Sequence, residues 1–189
     1  MERRELLKMI ALATGTVFIG GELLLSGCKN APSLGGPSFT EDDISFLDEV
    51  AETILPRTST PGAKDAGVGR FMTVMVNDCY TKEDQEIFHK GIVQLNDASK
   101  AEFKKDFMDA SAEERTQLLN KLDKEAKDDQ NKDKDGKNKY RYFTQMKQLV
   151  LFCFFTSKQG ATEVLRHVAI PGKYDGAYPY KKGDRAWAE

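Results

Sequence analysis

The chain has 189 residues, of which 40% are hydrophobic, and this is enough for one domain with a single core. Its 28 basic and 30 acidic side chains leave a net charge of −2, which argues against a nucleic-acid partner because such a partner calls for a basic surface. Three cysteines are too few for a disulfide scaffold, and none has the C-x-x-C spacing of a redox dithiol or of a covalently attached haem.

The first 27 residues have the layout of an export signal. Arg3 and Arg4 open a short basic region, and an apolar stretch follows over residues 9–21. This order resembles a secretory signal of the twin-arginine type, which carries proteins already folded. Glu22 leaves the apolar run shorter than the roughly 18 to 20 residues that cross a bilayer, which weighs against a membrane-spanning helix. We therefore predict that residues 1–27 are a signal peptide.

The signal ends at Leu25-Ser26-Gly27-Cys28, which resembles a bacterial lipobox. In that motif, cleavage precedes the cysteine and a lipid is attached to its sulfur. Residues 28–38 then include two prolines and two glycines, which is the composition of a flexible tether. The expectation is an exported protein, held by a lipid on Cys28 at the periplasmic face of the cell envelope.

Residues 39–189 predict one all-α domain, a single-domain bundle of five or six helices with a C-terminal coil rich in Gly, Pro and Tyr. Apolar side chains recur at helical spacing, and no segment alternates as a strand would. Three helices are predicted to begin at a hydroxyl residue with an acidic residue three positions later: Thr40 with Asp43, Thr81 with Asp84, and Ser111 with Glu114. A last short helix is predicted over residues 160–167.

The most apolar part of the mature chain is residues 140–156. Its second half is apolar on every side, which indicates a central, buried helix. A strand over residues 149–155 is the alternative, since short apolar runs are ambiguous, but the helical spacing of the preceding residues favours a helix. Cys153 and Cys79 both fall on apolar helix faces turned toward the core, so free thiols are favoured over a disulfide between them.

Residues 121–139 are almost entirely charged and are predicted to form a mobile, solvated loop. A run of one asparagine and two aspartates that starts at Asn131 matches the start of an EF-hand calcium loop. Such a loop needs a bidentate glutamate at its twelfth position, where this chain has Tyr142, so calcium binding is disfavoured.

The tail from Pro171 to Trp187 combines three tyrosines and one tryptophan with glycine and proline. One interpretation is that it wraps over the bundle with its aromatic side chains in surface grooves. The other is a docking segment, because Tyr and Trp are enriched at interfaces. The sequence favours neither.

Residue patterns typical of catalysis or metal binding are missing from the sequence. His89 and His167 are the only histidines, and they form no metal-binding spacing with each other or with cysteine. There is neither a Gly-x-Ser-x-Gly nucleophile elbow nor a Gly-x-Gly-x-x-Gly dinucleotide fingerprint. We therefore predict no catalytic, cofactor-binding or metal-binding residue in this chain, and an enzymatic role is disfavoured.

A loop of residues 54–69, rich in proline and glycine, lies between the first two predicted helices. Pro56 stops the first helix, and the Pro-Gly pair at residues 61 and 62 predicts a tight turn. A loop constrained in this way has a rigid backbone, which fixes the positions of its charged residues Arg57, Lys64 and Asp65.

This loop resembles that of the small third subunit of membrane-bound gluconate 2-dehydrogenase and its relatives. The resemblance covers most of the chain after the tether. It rests on the following stretches: Ile54-Leu55-Pro56-Arg57-Thr58, Thr60-Pro61-Gly62-Ala63, Asp65-Ala66-Gly67-Val68, Phe155-Thr156-Ser157 with Gly160, and Pro171-Gly172 with Tyr174.

Members of that family form complexes with a large FAD-containing dehydrogenase of the glucose-methanol-choline type, often with a separate cytochrome c subunit. The resemblance implies a non-catalytic small subunit that escorts and membrane-anchors a periplasmic dehydrogenase of a sugar, sugar acid or alcohol. FAD, and haem c where it is present, would belong to the partner subunits. The partner-facing surface implied by the motifs consists of Arg57, Thr58, Pro61, Gly62, Asp65, Thr156, Ser157, Gly160, Pro171, Gly172 and Tyr174.

The alternative hypothesis is a free-standing envelope lipoprotein that binds a ligand or scaffolds an assembly. The two hypotheses differ in whether a flavin dehydrogenase without its own export signal is encoded beside this chain.

Overall fold

The structure is a computed structural model that describes residues 34–36, 38–132, 140–170, 172–173 and 175–188. The predicted signal peptide with Arg3 and Arg4 lies outside the described residues, and so do the predicted lipidation site Cys28 and most of the tether.

Five α-helices account for most of the described residues, which confirms the predicted all-α class. They are α1 (Glu41–Ile54), α2 (Val68–Cys79), α3 (Lys82–Phe103), α4 (Ala112–Lys132) and α5 (Arg141–Thr156). A 3-10 turn, Phe107–Asp109, separates α3 from α4, and a π-helical turn, Gly160–Val164, follows α5. Two short strands, β1 (Arg166–His167) and β2 (Trp187–Ala188), pair in parallel.

Three of the five described helices, α1, α3 and α4, begin at the predicted capping pairs. At α1, the Asp43 N–H donates to Thr40 Oγ1 at 3.2 Å, and the Thr40 N–H donates back to Asp43 Oδ2 at 2.8 Å. Ser111 and Glu114 form the same reciprocal pair at 2.7 and 3.2 Å before α4, and α3 begins at the third predicted cap. Each reciprocal pair satisfies amide groups that would otherwise be left without an acceptor at the start of the helix.

Helix α5 lies at the centre of the bundle, because it packs against all four other helices. Its buried side chains, among them Phe143 and Val150, join one core with Phe46 of α1 and Phe88 of α3. The central helix predicted for residues 140–156 is confirmed, and the alternative strand is wrong.

One face of α5 remains in solvent. Phe152 and Phe155 are 50% and 36% exposed, and Gln148 on the same face is exposed too. The prediction that this helix is buried on every side is therefore wrong for this face, because the four packing partners cover only its other sides.

Cys79 is exposed, so the prediction that it faces the core is wrong, whereas Cys153 is buried within α5. The buried stripe of α2 runs through Val68, Met72 and Val76 at intervals of four residues. Cys79 is on the same side of the helix, but it is the last residue of α2 and follows the last buried position, Val76. Both thiols are free, and burial raises the pKa of Cys153 to about 12.

Helix α4 extends further into the charged segment than predicted. It continues to Lys132, so the loop predicted over residues 121–139 is wrong up to that point. Leu122 and Ala126 are 4% and 3% exposed, which makes one side of this helix part of the core. These two apolar residues are enough to hold the segment as a helix, although charged residues surround them in the sequence. The aspartates of the calcium-loop motif follow Lys132 and lie outside the described residues.

The helix predicted over residues 160–167 is shorter than expected. The π-helical turn ends at Val164, and Arg166 begins β1. Beyond β1, the described aromatic side chains of the tail are exposed and not buried in surface grooves; these are Tyr178, Tyr180 and Trp187. No helix in the described part of the chain is long and apolar enough to span a membrane.

Candidate functional site

The loop between α1 and α2 is built on the carboxylate of Glu52, in the last turn of α1. Glu52 Oε1 accepts the Arg57 N–H at 2.8 Å, and Glu52 Oε2 accepts the Lys64 N–H at 2.9 Å. One side chain therefore binds the main chain of the loop on both sides of the Pro-Gly turn. Gly62 lies against the same carboxylate, since a Cβ at this position would be 2.5 Å from Glu52 Oε1 and 2.6 Å from the Arg57 nitrogen.

Asp65 holds the turn from within the loop. Its Oδ2 accepts the Gly62 N–H at 2.8 Å, and its Oδ1 pairs with the guanidinium of Arg57. The Arg57 side chain is nevertheless 68% exposed. An ion pair this exposed contributes little to stability, and the guanidinium keeps further N–H donors that a binding partner can reach.

The outer edge of the loop is exposed and its inner edge is buried. Thr58 lies on the outer edge, where its N–H donates to Thr60 O at 3.0 Å. Pro61 is half-buried, and Ala63 on the inner edge is fully buried, with its N–H donating to Leu55 O at 3.0 Å. The loop thus has the constrained form that its prolines and glycines predict.

A second carboxylate of α1 holds the start of α2. Asp48 Oδ1 accepts the Gly69 N–H at 2.7 Å. Burial raises the pKa of Asp48, while this N–H and the charge of Lys64 oppose the effect. Gly67 precedes α2 with φ of 62°, a left-handed angle that glycine adopts at no steric cost.

Glu49 joins the loop to the body of the bundle. Its carboxylate pairs with Lys64 of the loop and with Arg115 of α4. Arg115 is only 15% exposed, and it also donates from Nε to Phe107 O at 3.0 Å. The ammonium of Lys64 is therefore connected to α4 through a single shared carboxylate.

A tight turn follows the end of α5. Ser157 Oγ donates to Phe154 O at 2.6 Å and accepts the Gly160 N–H at 3.0 Å. Gly160 is buried against the Phe154 carbonyl, so closely that a Cβ would be 1.9 Å from its oxygen. Thr156 is exposed beside this turn and donates its hydroxyl to Phe152 O at 2.7 Å.

The loop and the turn after α5 meet at Gln159. Its Nε2 donates to Asp65 O at 3.2 Å, across a separation of 94 residues in the sequence. The structure therefore brings most of the predicted partner-facing residues into two adjoining segments: Arg57, Thr58, Pro61, Gly62 and Asp65 in one, and Thr156, Ser157 and Gly160 in the other.

Of the three remaining predicted residues the structure describes only Gly172, which is not part of this arrangement. Gly172 lies in the exposed tail with φ of 76°, and no described atom lies within 4 Å of the position that a Cβ would take. Pro171 and Tyr174 lie outside the described residues.

Sequence reasoning missed the residues that hold the loop in place, above all Glu52, Glu49 and Gln159. The two glutamates are three residues apart at the end of α1 nearest the loop, and this spacing puts them on one side of the helix. That spacing could have identified the two glutamates from the sequence. No sequence pattern points to Gln159, because its partner is far away in the sequence.

Within the described ranges, no group of three or more His, Cys, Asp or Glu side chains is arranged to hold a metal ion. His89 instead stacks on Phe39 with 4.2 Å between ring centroids, and burial lowers its pKa. His167 lies in β1, where it is exposed.

The fold and the site define a class of protein: a small all-α domain that presents a braced, solvent-exposed loop. The sequence profile of the family Gluconate 2-dehydrogenase subunit 3 matches residues 41–172, which is more than half of the chain. The chain therefore belongs to the gluconate 2-dehydrogenase subunit 3 family, as the motifs of the loop predict. A search of curated proteins and a search of solved structures each returned no match.

Proposed function

We propose that this protein is a non-catalytic small subunit that escorts and membrane-anchors a periplasmic FAD-dependent dehydrogenase of a sugar, sugar acid or alcohol. The dehydrogenase would be of the glucose-methanol-choline type and would carry the FAD, and a cytochrome c subunit with haem c would accompany it in some assemblies. The observation that carries the proposal is the family match over residues 41–172, which spans both the loop and the turn after α5.

The geometry of the loop supports a docking role. A loop already held in one shape by Glu52 and Asp65 loses little conformational entropy when it binds. The exposed guanidinium of Arg57 suits paired hydrogen bonds to a partner carboxylate or to partner carbonyl groups. Phe152 and Phe155 add exposed apolar area on the last turns of α5, and burial of such area supplies binding free energy.

Replacement of Arg57 by alanine should weaken binding of the dehydrogenase about thirtyfold, roughly 2 kcal/mol, because a buried interface arginine typically contributes this much. The measurement is co-purification with the dehydrogenase encoded beside this chain, followed by titration of the purified partners. Arg70→Ala is the matched control, since Arg70 is 65% exposed and pairs with Glu41 outside the loop. This control should bind as the unaltered protein does.

A melting curve of each variant separates binding from folding. If Arg57→Ala lowers the melting temperature and the affinity together, the guanidinium only braces its own loop through Asp65. If the unaltered protein captures no flavoprotein, the proposal is wrong. The alternative, a free-standing lipoprotein that binds a ligand or scaffolds an assembly, would then take its place.

We also propose that the chain is exported through the twin-arginine route and is held at the periplasmic face by a lipid on Cys28. Replacement of both Arg3 and Arg4 by lysine should block export, because that route reads the arginine pair. Mass spectrometry of membrane-extracted protein should find a mature chain that begins at a lipidated Cys28. Residues 1–27 still attached, or an unmodified Cys28, would contradict this proposal.

A further inference from the structure

The C-terminal tail is a folded element with its own contacts. Besides the pairing of β1 with β2, the Arg166 guanidinium lies 4.5 Å from the centre of the Trp187 ring. Tyr178 meets the same ring edge-on, with 5.3 Å between centroids. Arg185 Nη1 donates to Glu163 O at 2.8 Å and ties the tail to the π-helical turn. The aromatic side chains are therefore held in place.

These side chains nevertheless stay in solvent. Trp187 is 45% exposed, Tyr178 is 52% exposed and Tyr180 is 75% exposed. Ile170, which follows β1, is 84% exposed. Several large apolar side chains on one short segment mark a surface that contacts something else.

The tail also differs from the bundle in charge. Residues 171–187 contain four basic and two acidic side chains, a net charge of +2, whereas residues 34–157 contain 18 basic and 23 acidic side chains, a net charge of −5. Every ion pair among the described residues lies between Glu41 and Lys147. The described lysines and arginines of the tail therefore form no ion pair with a described carboxylate, although Asp184 Oδ2 accepts the backbone N–H of Lys181 at 2.9 Å.

We infer that the tail binds the surface of an anionic lipid bilayer, with Trp187 and Tyr178 at the level of the headgroups and Lys181 and Lys182 near the lipid phosphates. Tyr and Trp are enriched at the boundary between membrane and water, and anionic headgroups attract nearby lysines. Tyr and Trp are also enriched at protein interfaces, but lysine is depleted there, so the adjacent lysines favour the bilayer over a protein partner. The inference goes beyond the proposed function, since it needs neither the dehydrogenase nor a lipid on Cys28.

Such a contact would matter for a domain held at the membrane by the proposed lipid on Cys28. The lipid would keep the tail at high local concentration near the bilayer, so a second contact would reinforce the attachment.

The test uses Trp187, which is the only tryptophan of the chain, so that fluorescence reports on the tail directly. The chain from residue 28 onward, with Cys28→Ser so that no lipid takes part, is mixed with vesicles of phosphatidylcholine that do or do not contain phosphatidylglycerol. With the anionic vesicles, emission should shift to shorter wavelength and acrylamide, an uncharged quencher, should quench it less. Added salt should reverse both changes, because it screens exposed charges.

Replacement of Lys181 and Lys182 together by glutamate should lower the affinity for anionic vesicles by about thirtyfold or more, the effect expected for two basic residues near such a surface. Lys82→Glu combined with Lys124→Glu is the matched control. It makes the same change of charge at two exposed lysines of the bundle and should leave the Trp187 response unaltered.

Three results would overturn the inference. The first is Trp187 emission that anionic vesicles do not change, and the second is an equal change with neutral vesicles. The third is protection of Trp187 by the purified dehydrogenase in lipid-free buffer, which would assign the tail to a protein interface. The first two results do not involve the dehydrogenase, and the third requires that the dehydrogenase binds, so failure of this inference does not imply failure of the proposed function.

Discussion

Gly160→Ala should lower the free energy of unfolding by about 3 kcal/mol or more, because the added methyl group overlaps the backbone. Its Cβ would be 1.9 Å from Phe154 O, 2.8 Å from the Phe154 carbonyl carbon and 3.0 Å from Phe155 Cα. All three are main-chain atoms, so rotation of a side chain cannot make room. Either the end of α5 or the π-helical turn must move, and both lie beside the loop that Gln159 contacts.

A thermal melt measures this effect, and a loss of that size corresponds to a decrease of about 6–12 °C in melting temperature for a chain of this length. Gly172→Ala is the control. Its Cβ would meet no described atom within 4 Å, so only the strain of its positive φ remains, about 1–2 kcal/mol. Equal melting temperatures for the two variants would show that Gly160 does not pack against the Phe154 carbonyl.

Gly62→Ala should lower the free energy of unfolding by about 2–3 kcal/mol and weaken binding of the dehydrogenase as well. The added Cβ would be 2.5 Å from Glu52 Oε1 and 2.6 Å from the Arg57 nitrogen. The carboxylate must then move away, and the N–H groups of Arg57 and Lys64 lose their shared acceptor. Hydrogen exchange at these two amides should become faster.

Gly67→Ala is the control for the loop. Gly67 has φ of 62°, and a Cβ there would meet no described atom within 4 Å, so the substitution introduces strain of about 1 kcal/mol without displacing Glu52. Amide exchange at Arg57 and Lys64 should stay slow in this variant, and binding of the dehydrogenase should persist. If both variants accelerate exchange equally, the Glu52 carboxylate is not what holds the loop.

The helix starts and the end of α1 could be predicted because their causes are local. Thr40 and Asp43 are three residues apart and satisfy each other's amide groups, and Pro56 excludes a helical continuation whatever packs around it. The central position of α5 follows from a run of apolar residues, which also lies within one segment. Even there, the sequence did not show that Phe152 and Phe155 stay exposed, since this depends on which faces the neighbouring helices cover.

Burial was predicted wrongly at two places. Cys79 was predicted to face the core and is exposed, whereas the charged part of α4 was predicted to be a solvated loop and is partly buried. Cys79 fits an apolar spacing, but it is the last residue of α2 and follows the last buried position of that helix. In α4, Leu122 and Ala126 are outnumbered by charged residues and still pack into the core. Composition averages over a segment, whereas packing depends on which few side chains point toward the neighbouring helices.

The sequence by itself determined the all-α class, the family, and the position of the loop that carries the family motifs, because periodicity, capping and proline act within a few residues along the chain. Only the tertiary structure decided how that loop is held by Glu52 and that it adjoins the turn at Gly160. It also decided that the tail is held against β1 with Trp187 in solvent. These features rest on contacts between residues far apart in the sequence, such as Gln159 with Asp65, and such contacts form only when the whole bundle packs.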